Sequence, residues 1–287
     1  MFHHTRSRTA GKALRLPALI LILALLLSAC LPAGAEAPAA LRGYDPAAGY
    51  VYVSLGVYPQ TAQGDVRPIL WRVLTVDREK AYLCSEYILF ARPMHPSLKE
   101  YRDVLRGDFG QTELCHYLNT TFAEEAFPGA ELDMLLPCEN YGKVFLLDAE
   151  DVLSRAIGMG RETNLRQSPG LRAWGTEYAI ANGLFVYSAK YGKHSPYWVR
   201  NQSTTDARHA RCTKEKGTLG HIEVGRANEG VRPAVYLDLG SCWISGGSGT
   251  MEDPYTLVPV VATEPVTPAE VPAEVLVEVP VEVPAEP

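Results

Sequence analysis

Tyr197-Trp198-Val199-Arg200-Asn201-Gln202 is the stretch whose residue types could grip a ligand. Successive side chains of an extended strand alternate, so Tyr197 and Val199 would leave one face and Trp198 and Arg200 the other. An aromatic plane and a guanidinium fork would then share a surface, with the Asn201 and Gln202 amides beside them and Trp174 as a further plate. Sugars and peptides are held by that combination of stacking and directional hydrogen bonds. The same rings serve equally well as core, and the sequence leaves both readings open.

Other chemistry is thinly represented. The chain has no Gly-x-Ser-x-Gly elbow, no His-Glu-x-x-His helix and no phosphate-cradling glycine loop. Gly246 to Gly249 follows a strand-like run but lacks the Lys-Ser/Thr and the helix that phosphate binding uses, so it reads as a turn. His209, Cys212, His221 and Cys242 mix imidazole and thiol as zinc sites do, yet their irregular spacing suits loop histidines and buried thiols. Glu252 and Asp253, beside Tyr255, offer carboxylates for calcium without the defined loop of oxygen ligands that calcium needs. No metal, cofactor or catalytic residue is assigned.

The elements that must position these residues are mostly strands. Gly230-Val231-Arg232-Pro233-Ala234-Val235-Tyr236-Leu237 predicts a closing strand, with Pro233 at its start or on an edge because proline cannot donate to a ladder. Arg232, set among apolar neighbours, should be pinned by a carboxylate or by carbonyls from earlier in the chain. Further strands are expected over 50–56, 68–74, 81–84, 144–147, 195–200, 220–224 and 242–245, and Trp71 and Arg72 are read as scaffold inside the second of these. Leu114, Leu118 and Phe122 form the stripe of a core-facing helix over 111–122. Asp148 caps a helix to about Ile157, and a short one over 176–182 stops at Gly183. Strands at both ends, helices between and no regular alternation of the two predict a single α+β domain over 42–257, with a mixed, mainly antiparallel sheet and a few short helices.

The two ends differ from this domain in kind. Arg6, Arg8, Lys12 and Arg15 precede an apolar run from Leu16 to Leu27, and Leu27-Ser28-Ala29-Cys30 closes it. The run is shorter than the ~20 apolar residues a bilayer span needs, and the whole resembles the leader and lipobox of bacterial lipoproteins. That resemblance implies a signal peptide over 1–29, lipidation at Cys30 and a lipid anchor in the bacterial cell membrane, with 30–41 as an extracytoplasmic tether. Losing residues 1–29 removes four basic charges and no acidic one, moving the formal charge from −6 to −10. With no basic run remaining, nucleic acid is excluded as a partner. Residues 258–287 repeat Pro, Val, Ala and Glu, with six glutamates and no base, and are expected to be a disordered acidic tail.

Taken together, Gly56-Val57-Tyr58-Pro59-Gln60, Pro68-Ile69-Leu70-Trp71-Arg72-Val73-Leu74, Leu118-Asn119 with Phe122, Val144-Phe145-Leu146-Leu147, Tyr197-Trp198-Val199-Arg200 and Gly230-Val231-Arg232-Pro233-Ala234 resemble the domain-of-unknown-function family numbered 6273. That family is found in surface proteins and lipoproteins of Gram-positive bacteria. Val199 and Asn201 stand where it usually has Leu and Ser. A Trp-x-Arg strand with a late Arg-Pro strand is also similar, more loosely, to the C-type-lectin-like fold of sulfatase-modifying enzymes. The resemblances imply a cell-surface lipoprotein with a non-catalytic domain for an extracellular glycan or peptide. The alternatives they leave are a distantly related extracytoplasmic enzyme and a structural envelope protein.

Overall fold

Val51, Val53 and Leu55 alternate with Tyr52 and Ser54, and this period of two makes the first strand one-sided. A computed structural model describes residues 40–160, 169–214 and 216–260, so Cys30, the leader and the tail beyond Val260 lie outside the described residues. In chain order the strands are β1 (Val51–Pro59), β2 (Val66–Val76), β3 (Lys80–Ser85), β4 (Phe90–Ala91), β5 (Leu135–Leu136), β6 (Val144–Leu146) and β7 (Trp198–Gln202). They continue with β8 (His209–Thr213), β9 (Leu219–Glu223), β10 (Gly230–Val231), β11 (Pro233–Asp238), β12 (Cys242–Gly246) and β13 (Tyr255–Pro259). Among the described residues five short α-helices accompany them: α1 (Leu98–Asp103), α2 (Glu113–Asn119), α3 (Thr121–Ala126), α4 (Ala149–Leu153) and α5 (Glu177–Ala181).

The main sheet runs β12-β13-β1-β2-β3-β11-β5, with β6 also paired to β11. Every pair in it is antiparallel except β1 with β13. Strands β7-β8-β9 form a second sheet, and β4 pairs β10 in a third. The architecture is α+β, mainly antiparallel, with few short helices. Among the described residues no helix is long and apolar enough to cross a membrane.

The core is built from β2 outward. Trp71 is fully buried, donates its indole N–H to the Leu55 carbonyl at 2.8 Å and stacks on Phe127. Tyr58, Phe90 and Phe122 pack ring to ring beside it. Each such side chain contributes about 1.5–3 kcal/mol by leaving water, which makes this cluster the principal source of cohesion. A smaller second cluster gathers Ile88, Ala173, Ala179, Leu184 and Tyr197.

Several elements depart from expectation. The helix expected over 111–122 is broken in two at Thr120, because Asn119 turns inward to serve the backbone. Its amide nitrogen donates to the carbonyls of Cys115, Tyr141 and Val144, and its oxygen accepts from Val144 N–H at 3.1 Å. The helix capped by Asp148 ends at Leu153 rather than Ile157, though its capping box with Asp151 is complete. The closing strand is interrupted at Arg232, while Pro233 stands, as expected, at the start of a strand, opening β11 opposite Leu146. The strand expected over 195–200 lies at 198–202, and β8 was not anticipated. Strand β13 carries Val258 and Pro259 past the expected domain end at Leu257, since they pair with Trp243 and Cys242.

Candidate ligand-binding surface

The strand that suggested a ligand surface is mostly interior. Trp198 is fully buried and its indole N–H donates to the Arg92 carbonyl at 2.8 Å. Tyr197 is equally buried, its ring facing the Arg232 guanidinium. Neither can stack on a ligand, which corrects their reading as binding residues: Trp198 belongs to the main core and Tyr197 to the smaller cluster. Arg200 is committed to Asp148 and to the Leu146 carbonyl, beneath the Tyr141 ring. The exposed Asn201 accepts from Ala149 N–H at 2.6 Å, holding the first turn of α4, and Gln202 donates to the Ala207 carbonyl at 2.8 Å. All three do structural work rather than face a ligand together.

Trp174 is different. It is 44% exposed, and its indole N–H donates to the Gly192 carbonyl at 3.0 Å. The backbone beneath it is fixed at three points: Ala173 bridges Ser195, Ile88 N–H donates to the Trp174 carbonyl, and Thr176 N–H donates to the Ile88 carbonyl. Its ring is therefore a preoriented plate standing on the smaller cluster. From it an edge-to-face row runs to His194 at 6.3 Å, to Tyr187 at 5.2 Å beyond, and on to Phe185 and Tyr191. Phe185 is also 44% exposed.

One residue on from Trp174 a groove of about 460 Å³ opens between Gln60, Thr61, Arg67, Tyr87, Gly175 and Glu177. The Gln60 amide is pinned to the Pro68 carbonyl at 2.7 Å, and Arg67 stands well exposed. The row and the groove together form a polar and aromatic surface of the kind sought at 197–202. Apart from Trp174, sequence reasoning missed its members. Phe185, Tyr187 and Tyr191 sit in a loop with no periodic pattern, and the only signal was their density between Leu184 and His194.

The remaining candidates are scaffold or sealed. Arg72 makes a two-pronged pair with Glu86, both buried, while Arg232 donates to the Ser85 carbonyl at 2.7 Å and to the Tyr197 hydroxyl. One carbonyl from earlier in the chain, that of Ser85, thus pins Arg232 as expected. Arg232 Nη2 has no hydrogen-bond partner among the described residues.

A thiol does meet a carboxyl group, where Cys212 hydrogen-bonds Glu229, but both are buried. Burial pushes the Cys212 thiol up to about 12, so it stays protonated and is no nucleophile. Burial also lifts Glu229 to about 7, against the opposing pull of Lys214. His209 and His221 lie ring to ring at 5.2 Å on β8 and β9, away from Cys242 on β12. No group of three or more metal-type ligands occurs among the described residues. The Ser248 to Asp253 stretch is a turn in which the Asp253 carbonyl accepts from Ser248 and Gly249 N–H. All five described cysteines are unpaired.

Compared with known proteins, the chain matches no family model, no curated protein and no solved structure.

Proposed function

We propose that this is a lipid-anchored bacterial surface protein whose α+β domain holds an extracellular glycan or peptide without catalysis. The observation that carries the binding half is Trp174, an indole plate whose N–H is already spent on Gly192 and whose exposed face heads a row of aromatic rings. An exposed ring held this firmly loses little side-chain freedom on binding, which is the economy of a preorganised contact. The anchoring half rests on the basic head, apolar run and Leu-Ser-Ala-Cys close at Cys30. Membership of the 6273 family and a C-type-lectin-like character belong to the same proposal, supported by the order of the motifs along the chain and by the Trp-x-Arg and Arg-Pro strands.

The test is retention of the purified chain on glycan and peptide arrays. Trp174→Ala should abolish retention while circular dichroism and melting stay near wild type. Retention that survives this substitution places the site elsewhere. Trp198→Ala gives the contrast: it opens a core cavity and should cost about 3–5 kcal/mol of stability.

A further inference from the structure

The mature chain is strongly acidic, yet its charge reverses around Trp174. Residues 172–193 hold Arg172, Lys190 and Lys193 against the single acid Glu177. The lysines belong to the turn whose Gly192 carbonyl receives the Trp174 indole N–H, so both lie within one turn of the plate's edge. Each is exposed, and Lys190 stands over the Tyr191 ring at 5.6 Å. Arg172 precedes Trp174 by two residues on backbone extended between bridges at Ala173 and Gly175, which directs both side chains to one side. Its Nε is buried and has no hydrogen-bond partner among the described residues. Glu177 lies apart from this turn, in the first turn of α5 at the groove.

Three cationic groups thus bracket an exposed aromatic face in an otherwise acidic molecule. A purely apolar ligand would use the ring and strand the cations. A simple polyanion would use the cations and leave the ring wet. Both are satisfied by a ligand that is flat and apolar on one face and carries a fixed negative charge at its edge.

We propose that this surface takes an acidic saccharide, one sugar ring lying on Trp174 with its carboxylate directed to Lys190, Lys193 and Arg172. A pyranose offers a face of C–H groups to an indole, and a uronic carboxylate projects from the rim of that ring, where the lysine turn begins. The proposal rests on the reading of Trp174 as a ligand-binding plate and names the ligand class that reading left open.

The experiment is calorimetric titration of the purified full chain with an oligogalacturonate, a neutral oligogalactan of equal length and a poly-glutamate peptide. The oligogalacturonate should bind best, weakening about tenfold or more with Trp174→Ala and again with Lys190→Glu/Lys193→Glu. Raising salt from 50 to 500 mM should weaken it several-fold, as screening requires. Because Trp174→Ala also removes the bond to Gly192, Trp174→Phe serves as the milder variant. It keeps a ring and should retain most of the affinity. Equal binding of poly-glutamate overturns the saccharide assignment, and equal binding of the neutral oligomer overturns the charge assignment. In either case a Trp174-dependent affinity leaves the broader binding reading standing. Absence of any Trp174-dependent binding removes both.

Discussion

Glu229 carries the clearest consequence at the scale of single residues. Its carboxyl group is 2% exposed, and one of its oxygens lacks a hydrogen-bond partner among the described residues. Burial holds its pKa at about 7, above the ordinary glutamate value near 4.5, so the folded state keeps the proton more tightly than the unfolded chain does. Its contribution to stability is therefore complete below about pH 4.5 and drains away as the pH rises towards 7. By linkage the loss approaches about 3 kcal/mol. Glu229→Gln cannot ionise and should flatten this slope, leaving the variant more stable than wild type at pH 8. Urea denaturation at pH 4.5, 6 and 8 measures it, and parallel slopes for the two proteins would refute the assignment. The buried Glu86 carboxylate is the two-pronged partner of Arg72, and Glu86→Gln strands that cation in the interior, with an expected cost of about 3–5 kcal/mol.

Elements in this protein are held by side chains that reach across to other elements. Asn119 ends α2 and at the same time fastens the start of β6, so Asn119→Ala leaves Val144 N–H without its partner. The expected cost is about 2–4 kcal/mol, read from the chemical denaturation midpoint. Gly56 is the other joint. It lies in β1 at φ +70° where the register with β2 shifts, and an added Cβ would stand 2.6 Å from the Ala126 carbonyl oxygen. Gly56→Ala should destabilise by a comparable amount, because α3 is seated there.

These joints also show what was legible beforehand. Alternation and short apolar runs revealed β1, β2, β3 and β11, and the Asp148 cap and the Gly183 stop revealed α4 and α5, since those signals are local. The break at Thr120 was hidden because the stripe of Leu114, Leu118 and Phe122 runs straight through it. Its cause, Val144, lies 25 residues further along the chain. The binding face was misplaced for a related reason. Trp198 and Arg200 look like a shelf by alternation alone, but the main core takes Trp198 and Asp148 with the Leu146 carbonyl takes Arg200. The loop aromatics at 185–191 follow no period and gave no reason to prefer them.

At the scale of the whole molecule, the proposed lipid anchor is tested at Cys30. Cys30→Ala should release the protein from the membrane fraction or leave it unprocessed, and fractionation with intact-mass measurement distinguishes these results from wild type. Unchanged partition and unchanged mass would count against lipidation. The sheet adds something of another kind. Strand β1 comes near the start of the described chain and β13 at its end, and they lie side by side, parallel, with Val53 opposite Tyr255 and Ser54 opposite Thr256. Two parallel neighbours have their outer termini at opposite ends, so tension applied to the two ends of the domain slides one strand along the other instead of peeling them apart. Their hydrogen bonds then bear load together and not in succession. Under a pull between its two ends, this domain resists as a clamp.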